Sequence, residues 1–126
     1  MTEKELWIKL RGAAKAAGVV AERYENSASF GTFDVSLSWI NHTVWIELKA
    51  SVNAILRISQ MHWARARREA GCLDDMHILF PHKGDIYLLD AFYPLENGGQ
   101  LKLEHAMVFP SMDSMLLTLK GKWRPL

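Results

Sequence analysis

The chain is poor in cysteine, in long apolar runs and in charge of one sign. Its single cysteine, Cys72, has no intrachain partner, which excludes the small secreted folds that rely on disulfides and leaves a buried structural thiol as the expected role. No run approaches the roughly 18 apolar residues that span a bilayer, so no membrane association is expected. The N-terminus is charged and lacks the apolar stretch of a signal peptide. Lys and Arg number 15 against 14 Asp and Glu, a net charge of +1, so bulk charge does not announce a polyanionic partner. His77, His82 and His105 have no partner at zinc-site spacing. Internal repeats, low-complexity segments and domain linkers are also missing.

What is present suits one globular domain over residues 1–126. Hydrophobic residues make up 49% and charged residues 23%, close to the globular average and enough for a core without staples. A helix is predicted from Thr2 as N-cap, with Glu3 and Glu5 in its first turn, to Gly18 just past its end. Leu6, Leu10, Ala13, Ala14 and Ala17 share one face, and Glu3 lies one turn before Leu6 on that face. "VVAERY" reads as a short strand and "ENSASFGT" as a polar loop. Residues 33–39 and 44–50 read as a hairpin turning at 40–43. A helix capped by Ser59 runs through Ala70 to Gly71. "MHILF" and "DIYLL" are strands, residues 91–110 hold a loop and a short strand, and a last helix runs from Ser111 to Lys120, closed by Gly121. That order predicts an α/β fold, a mixed β-sheet flanked by helices.

The hairpin carries charge where strands are otherwise apolar. Period two puts Asp34, Ser36 and Ser38 on one face of the first strand, and Glu47 with Lys49 on one face of the second. With the turn at 40–43, Asp34 and Glu47 can meet near an open end of the sheet. Two adjacent carboxylates repel, and one stays protonated unless a cation lies between them. Mg²⁺ suits such a site because it takes a few carboxylate oxygens together with water and phosphate. Lys49 can position the attacking water or stabilise developing negative charge. The competing reading is a Lys–Glu pair on a wet sheet face, worth about 0.2–1 kcal/mol.

Two further groups suit phosphate. Asn26, Ser27 and Ser29 offer short polar side chains and backbone N–H groups beside Asp34. Arg57, His62, Arg65 and Arg68 lie in a stretch, residues 57–68, that holds four arginines and no acid, and the guanidinium fork grips phosphate bidentately. Trp45 and Trp63 read as core.

Read in order, "ERYENS", "GTFDVS", "WIELKA" and "LRISQMHWARARREAG" resemble the PD-(D/E)XK nuclease superfamily, and more narrowly its virus-type replication-repair nuclease (VRR-NUC) family in the stand-alone form found in phages. The likeness covers about residues 3–90. It implies a restriction-endonuclease-like core with Asp34 and Glu47 as metal ligands, the Leu48 carbonyl as a possible third oxygen donor, and Lys49 as the catalytic lysine. Gln60 would point back to the site and orient Lys49 or substrate. A carboxylate from the first helix is also implied; Glu3 fits best, with Glu22 and Glu25 as competitors. Phe33 stands where the family usually has Pro, which leaves a less rigid turn before Asp34, and it is expected to pack against the first helix.

The resemblance implies a Mg²⁺-dependent endodeoxyribonuclease, with Mn²⁺ substituting, that resolves Holliday junctions or other branched DNA as a homodimer. It also implies a phage or prophage source and action in the bacterial cytoplasm. Trp7, Ile8, Phe92, Tyr93, Met107 and Phe109 are candidate dimer-surface residues. The alternatives are a nuclease of the same fold acting on flaps, nicks or duplex, and a module of that fold that binds DNA without cutting it.

Overall fold

Thr2 and Gly18 bracket the first helix as the sequence predicts. In the computed structural model, which describes residues 1–24, 31–40, 42–71 and 76–122, α1 spans Glu3–Ala17. The Thr2 hydroxyl accepts the Glu5 N–H at 3.1 Å. Gly18, at φ 72°, donates its own N–H to the Ala14 and Lys15 carbonyls, a closure in the left-handed region that glycine adopts without Cβ strain.

The remaining elements follow as β1 (Val20–Arg23), β2 (Val35–Trp39), β3 (His42–Leu48), α2 (Ile58–Glu69), β4 (Met76–His82), β5 (Asp85–Asp90), α3 (Phe92–Glu96), β6 (Met107–Phe109) and α4 (Met112–Lys122), with a 3₁₀ turn at Leu103–His105 before β6. The six strands form one open sheet in the order β1-β2-β3-β4-β5-β6. Every neighbouring pair is antiparallel except β3 and β4, which are parallel. A parallel pair needs a crossover, and residues 49–75 with α2 supply it. The fold is therefore α/β with a six-stranded mixed sheet.

Strand alternation divides the core between the two faces. Val35, Leu37, Val44, Ile46 and Leu48 lie with Leu6 and Leu10 of α1 and Met115 and Leu116 of α4. Met76, Ile78, Phe80 and Leu89 lie on the other face with Met61 and Ala64 of α2 and Leu95 of α3. Each side chain of this kind contributes roughly 1.5–3 kcal/mol when fully buried.

Several boundaries differ from expectation. The hairpin strands are Val35–Trp39 and His42–Leu48 rather than 33–39 and 44–50. The second helix begins at Ile58, so Ser59 lies inside its first turn and Arg57 is the N-cap residue. Gly121 lies within α4 rather than ending it, while Ser111 does cap that helix, its hydroxyl accepting the Ser114 N–H at 3.1 Å. The stretch 91–110 contains its short strand and also α3, whose five residues are too few to show helical periodicity.

Candidate active site

The answer to the charged hairpin lies on the α2 face. Val35 pairs with Ile46 and Ser36 with Trp45, so Asp34 stands beside Glu47 just where β2 begins. The contact is mutual. The Asp34 N–H donates to Glu47 Oε1 at 3.1 Å, and the Leu48 N–H donates to Asp34 Oδ2 at 3.3 Å. The N–H and C=O of one strand residue point toward the same neighbour, so the Leu48 carbonyl also faces the Asp34 side.

Lys49 and Gln60 complete the cluster. Gln60 Nε2 donates to Glu47 Oε2 at 2.6 Å, and its Oε1 accepts from Lys49 Nζ at 3.2 Å. Lys49 Nζ also lies 3.4 Å from Glu47 Oε2. Glu47, Lys49 and Gln60 are only 2%, 8% and 1% exposed. Charged groups this deep are costly unless paired and hydrogen-bonded, and here each is. Gln60 is the third residue of α2, and its Oε1 also accepts the Arg57 N–H at 2.9 Å. Arginine has no acceptor, so this is the half of a capping box available to the pair. One amide thus starts a helix and aligns a lysine with a carboxylate.

Gly31 lets these parts close together. It is buried at φ 89°, and a Cβ built on it would lie 2.0 Å from the Ser59 carbonyl oxygen and 2.8 Å from the Gln60 nitrogen. The turn before Asp34 is therefore pressed against the first turn of α2. The glycine in "GTFD" was the sequence signal for this, but a glycine marks a turn without saying what crosses it.

Electrostatics match the geometry. Burial, together with the adjacent Asp34 charge, pushes Glu47 up to about 8 against the pull of Lys49. Burial also raises Asp34, opposed by the Leu48 N–H and by the Lys49 and Arg23 charges. A raised carboxylate takes protons from solution on folding, so stability is full below the unfolded value near 4.5 and is lost as pH rises toward 8. The metal-free melting temperature should therefore fall between pH 5 and 8, and Glu47→Gln should flatten that fall. Mg²⁺ should restore more stability at pH 8 than at pH 5, because it competes with the proton. Thermal melts in EDTA and in Mg²⁺ test this; wild type and Glu47→Gln with equal slopes in EDTA would contradict it.

The oxygen donors fit a hard divalent ion. Two carboxylates raised by burial gain by sharing a cation, and the Leu48 carbonyl borders them. No cluster of three or more His, Cys, Asp or Glu side chains suited to a metal exists among the described residues, so side chains alone form no cage. Mg²⁺ does not require one.

Comparison with known proteins finds no matching family model and no matching curated protein.

The structure brings Asp34, Glu47, Leu48, Lys49 and Gln60 together and separates the other predicted residues. Glu3 is exposed on a helix that packs against the opposite face of the sheet. The expectation that it shares the buried face is corrected: it precedes Leu6 in the right phase, but the first turn is not covered. Glu22 is exposed on the edge strand β1. Asn26, Ser27, Ser29, the competing Glu25 and Cys72 lie outside the described residues.

Arg57 and His62 are exposed and can meet a ligand. Arg65 and Arg68, also expected to meet phosphate, have partners within the chain. Arg65 Nη2 donates to the Leu95 carbonyl at 3.0 Å, and Arg68 Nη1 pairs with Glu96 at 2.6 Å; both fasten α2 to α3. Phe33 packs on Trp63 of α2 with ring centroids 4.9 Å apart, not on the first helix. Phe109 is buried, which removes it from the candidate dimer surface, whereas Ile8, Phe92 and Met107 are exposed.

Proposed function

We propose that this chain is a metal-dependent endodeoxyribonuclease of the PD-(D/E)XK kind, of the VRR-NUC type that its sequence resembles, and that it cuts branched DNA as a homodimer. The observation carrying this reading is the mutually bonded cluster of half-buried Asp34 with buried Glu47, Lys49 and Gln60. A merely structural Lys–Glu pair on a sheet has no need of a second carboxylate whose charge opposes ionisation of the first, nor of an amide reaching across from a helix.

In this reading Asp34, Glu47 and the Leu48 carbonyl hold Mg²⁺, with Mn²⁺ as a substitute. The ion, when bound, supplies a lowered pKa for water and neutralises charge on the phosphodiester. Lys49 orients the attacking water or meets the negative charge that develops on phosphorus-bound oxygen. Gln60 keeps the ammonium aimed, and burial keeps competing water away. Arg57 and His62 contact the DNA backbone. A four-way junction has near two-fold symmetry, and two nicks require two sites related by a matching axis, which a homodimer provides. Action in a bacterial cytoplasm on phage or prophage DNA belongs to the same proposal; no described helix is long and apolar enough to cross a membrane.

The test is purified protein on labelled four-way junction, flap, single-strand and linear duplex DNA, each with Mg²⁺ and with EDTA. Mg²⁺-dependent cutting that favours the junction is expected. Linear duplex cut as fast as the junction would support the same chemistry on another target. Failure to cut any of the four, in Mg²⁺ or Mn²⁺, would overturn the enzyme reading.

A further inference from the structure

Arg67 is the arginine of α2 that structural bonds do not claim. Arg65 and Arg68 are tied to α3. Arg67 makes no hydrogen bond or ion pair among the described residues, and its buried Nε is unsatisfied. Its guanidinium carbon instead lies 5.3 Å from the ring centre of Trp45 and 5.2 Å from that of Trp63. The two indoles meet edge-on at 5.4 Å, and Tyr24 flanks Trp45 at 5.3 Å. Trp63 and Arg67 are one helical turn apart, so the pairing is local and cheap to form. Two aromatic faces hold the cation in place without neutralising it.

Its position gives the charge a use. Trp45 and Glu47 project from the same face of β3 two residues apart, a spacing of roughly 6.6 Å along the strand. The neighbouring residues on this face are polar, and Tyr24, Ser38 and Thr43 are partly open while Ser36 is buried: Tyr24 and Ser36 share a 2.9 Å hydrogen bond, and Ser38 and Thr43 one of 3.0 Å. A nucleic-acid strand lying along this face with one phosphate at Asp34 and Glu47 would bring a neighbouring phosphate beside Trp45. A guanidinium fork suits phosphate. We propose that Arg67, held between Trp45 and Trp63, is a phosphate-binding residue for the DNA strand being cut, anchoring a phosphodiester next to the scissile one. The proposal deepens the nuclease reading and rests on it for the choice of ligand.

The experiment measures binding, not cleavage. A fluorescently labelled synthetic four-way junction is titrated in EDTA with wild type, Arg67→Met and Arg67→Lys over 50–200 mM NaCl, with circular dichroism melts verifying that each variant folds. Methionine keeps apolar packing on the indoles and removes the charge; lysine keeps the charge. Loss of one phosphate contact lowers the slope of log K against log salt by about 0.9. The affinity gap between wild type and Arg67→Met should therefore narrow about 3.5-fold between 50 and 200 mM salt, while Arg67→Lys keeps the wild-type slope. An Arg67→Met variant that is folded and has the wild-type slope would make Arg67 a packing residue only and overturn the proposal. If Arg67→Met lowers the slope but wild type cuts no DNA in Mg²⁺, the phosphate site stands and the nuclease reading falls. If wild type cuts and the slope does not move, the nuclease reading stands alone.

Discussion

Lys49→Ala is expected to lower Mg²⁺-dependent cleavage of a four-way junction by at least roughly 10²–10³-fold, the range seen when one preorganised group facing developing charge is removed. The lysine is 8% exposed, and its ammonium is held between Gln60 Oε1 at 3.2 Å and Glu47 Oε2 at 3.4 Å. Gln60, the other side chain bonded to Glu47, carries no charge and cannot take over the role. Removing Lys49 also removes the attraction that opposes the rise of Glu47, so the carboxylate takes a proton more readily and releases it less readily to a metal. The fold should survive, since a protonated Glu47 beside Gln60 leaves no buried charge unmatched. Single-turnover cleavage rates and a thermal melt read the two effects separately. A folded Lys49→Ala protein that cuts like wild type would sink the assigned mechanism.

The second large effect is at Gly31, and it strikes the fold and the site together. A Cβ 2.0 Å from the Ser59 carbonyl oxygen, at φ 89°, cannot be relieved by rotating a side chain, because the obstructing atoms are backbone. Either the turn before Asp34 or the first turn of α2 must move. Gly31→Ala should cost on the order of 3 kcal/mol and lower the melting temperature by roughly 10 °C. Any residual folded protein should lose the Gln60–Glu47 hydrogen bond and with it Lys49 alignment. Melts and metal-dependent cleavage of Gly31→Ala check this; a variant melting within a degree or two of wild type would mean that the close approach is unimportant.

Features governed by neighbouring residues were legible in the sequence. Thr2 and Gly18 announce both ends of α1 through capping chemistry that acts over three or four positions. Alternation, carried one residue beyond β2 and β3, put Asp34, Glu47 and Lys49 on one side of the hairpin, where the Asp34 N–H donates to Glu47 and Gln60 bridges Lys49 and Glu47. Features governed by what crosses from elsewhere were not legible. Helical phase aligned Glu3 with Leu6, yet phase says nothing of where the partner surface ends, and Glu3 remains in solvent. Arg65, Arg67 and Arg68 look alike in sequence; only the position of α3 claims the outer two and leaves the middle one to the indoles. Phe33 had no sequence cue to choose Trp63 over the first helix. Ser59 has the chemistry of a cap, but Gln60 reaching back to the Arg57 N–H moved the helix start.

The parallel junction of β3 with β4 has a mechanical consequence. These are the two middle strands of six, and the Lys49 N–H donates to the Leu79 carbonyl at 3.0 Å, anchoring this lysine to the centre of the sheet. Backbone there opens only in the rarest excursions, so its amides should exchange with solvent among the slowest in the chain. A site this stiff cannot reshape itself around a ligand. In the proposed reaction, the work of bending falls on the nucleic acid, and it is smallest where the double helix is already interrupted.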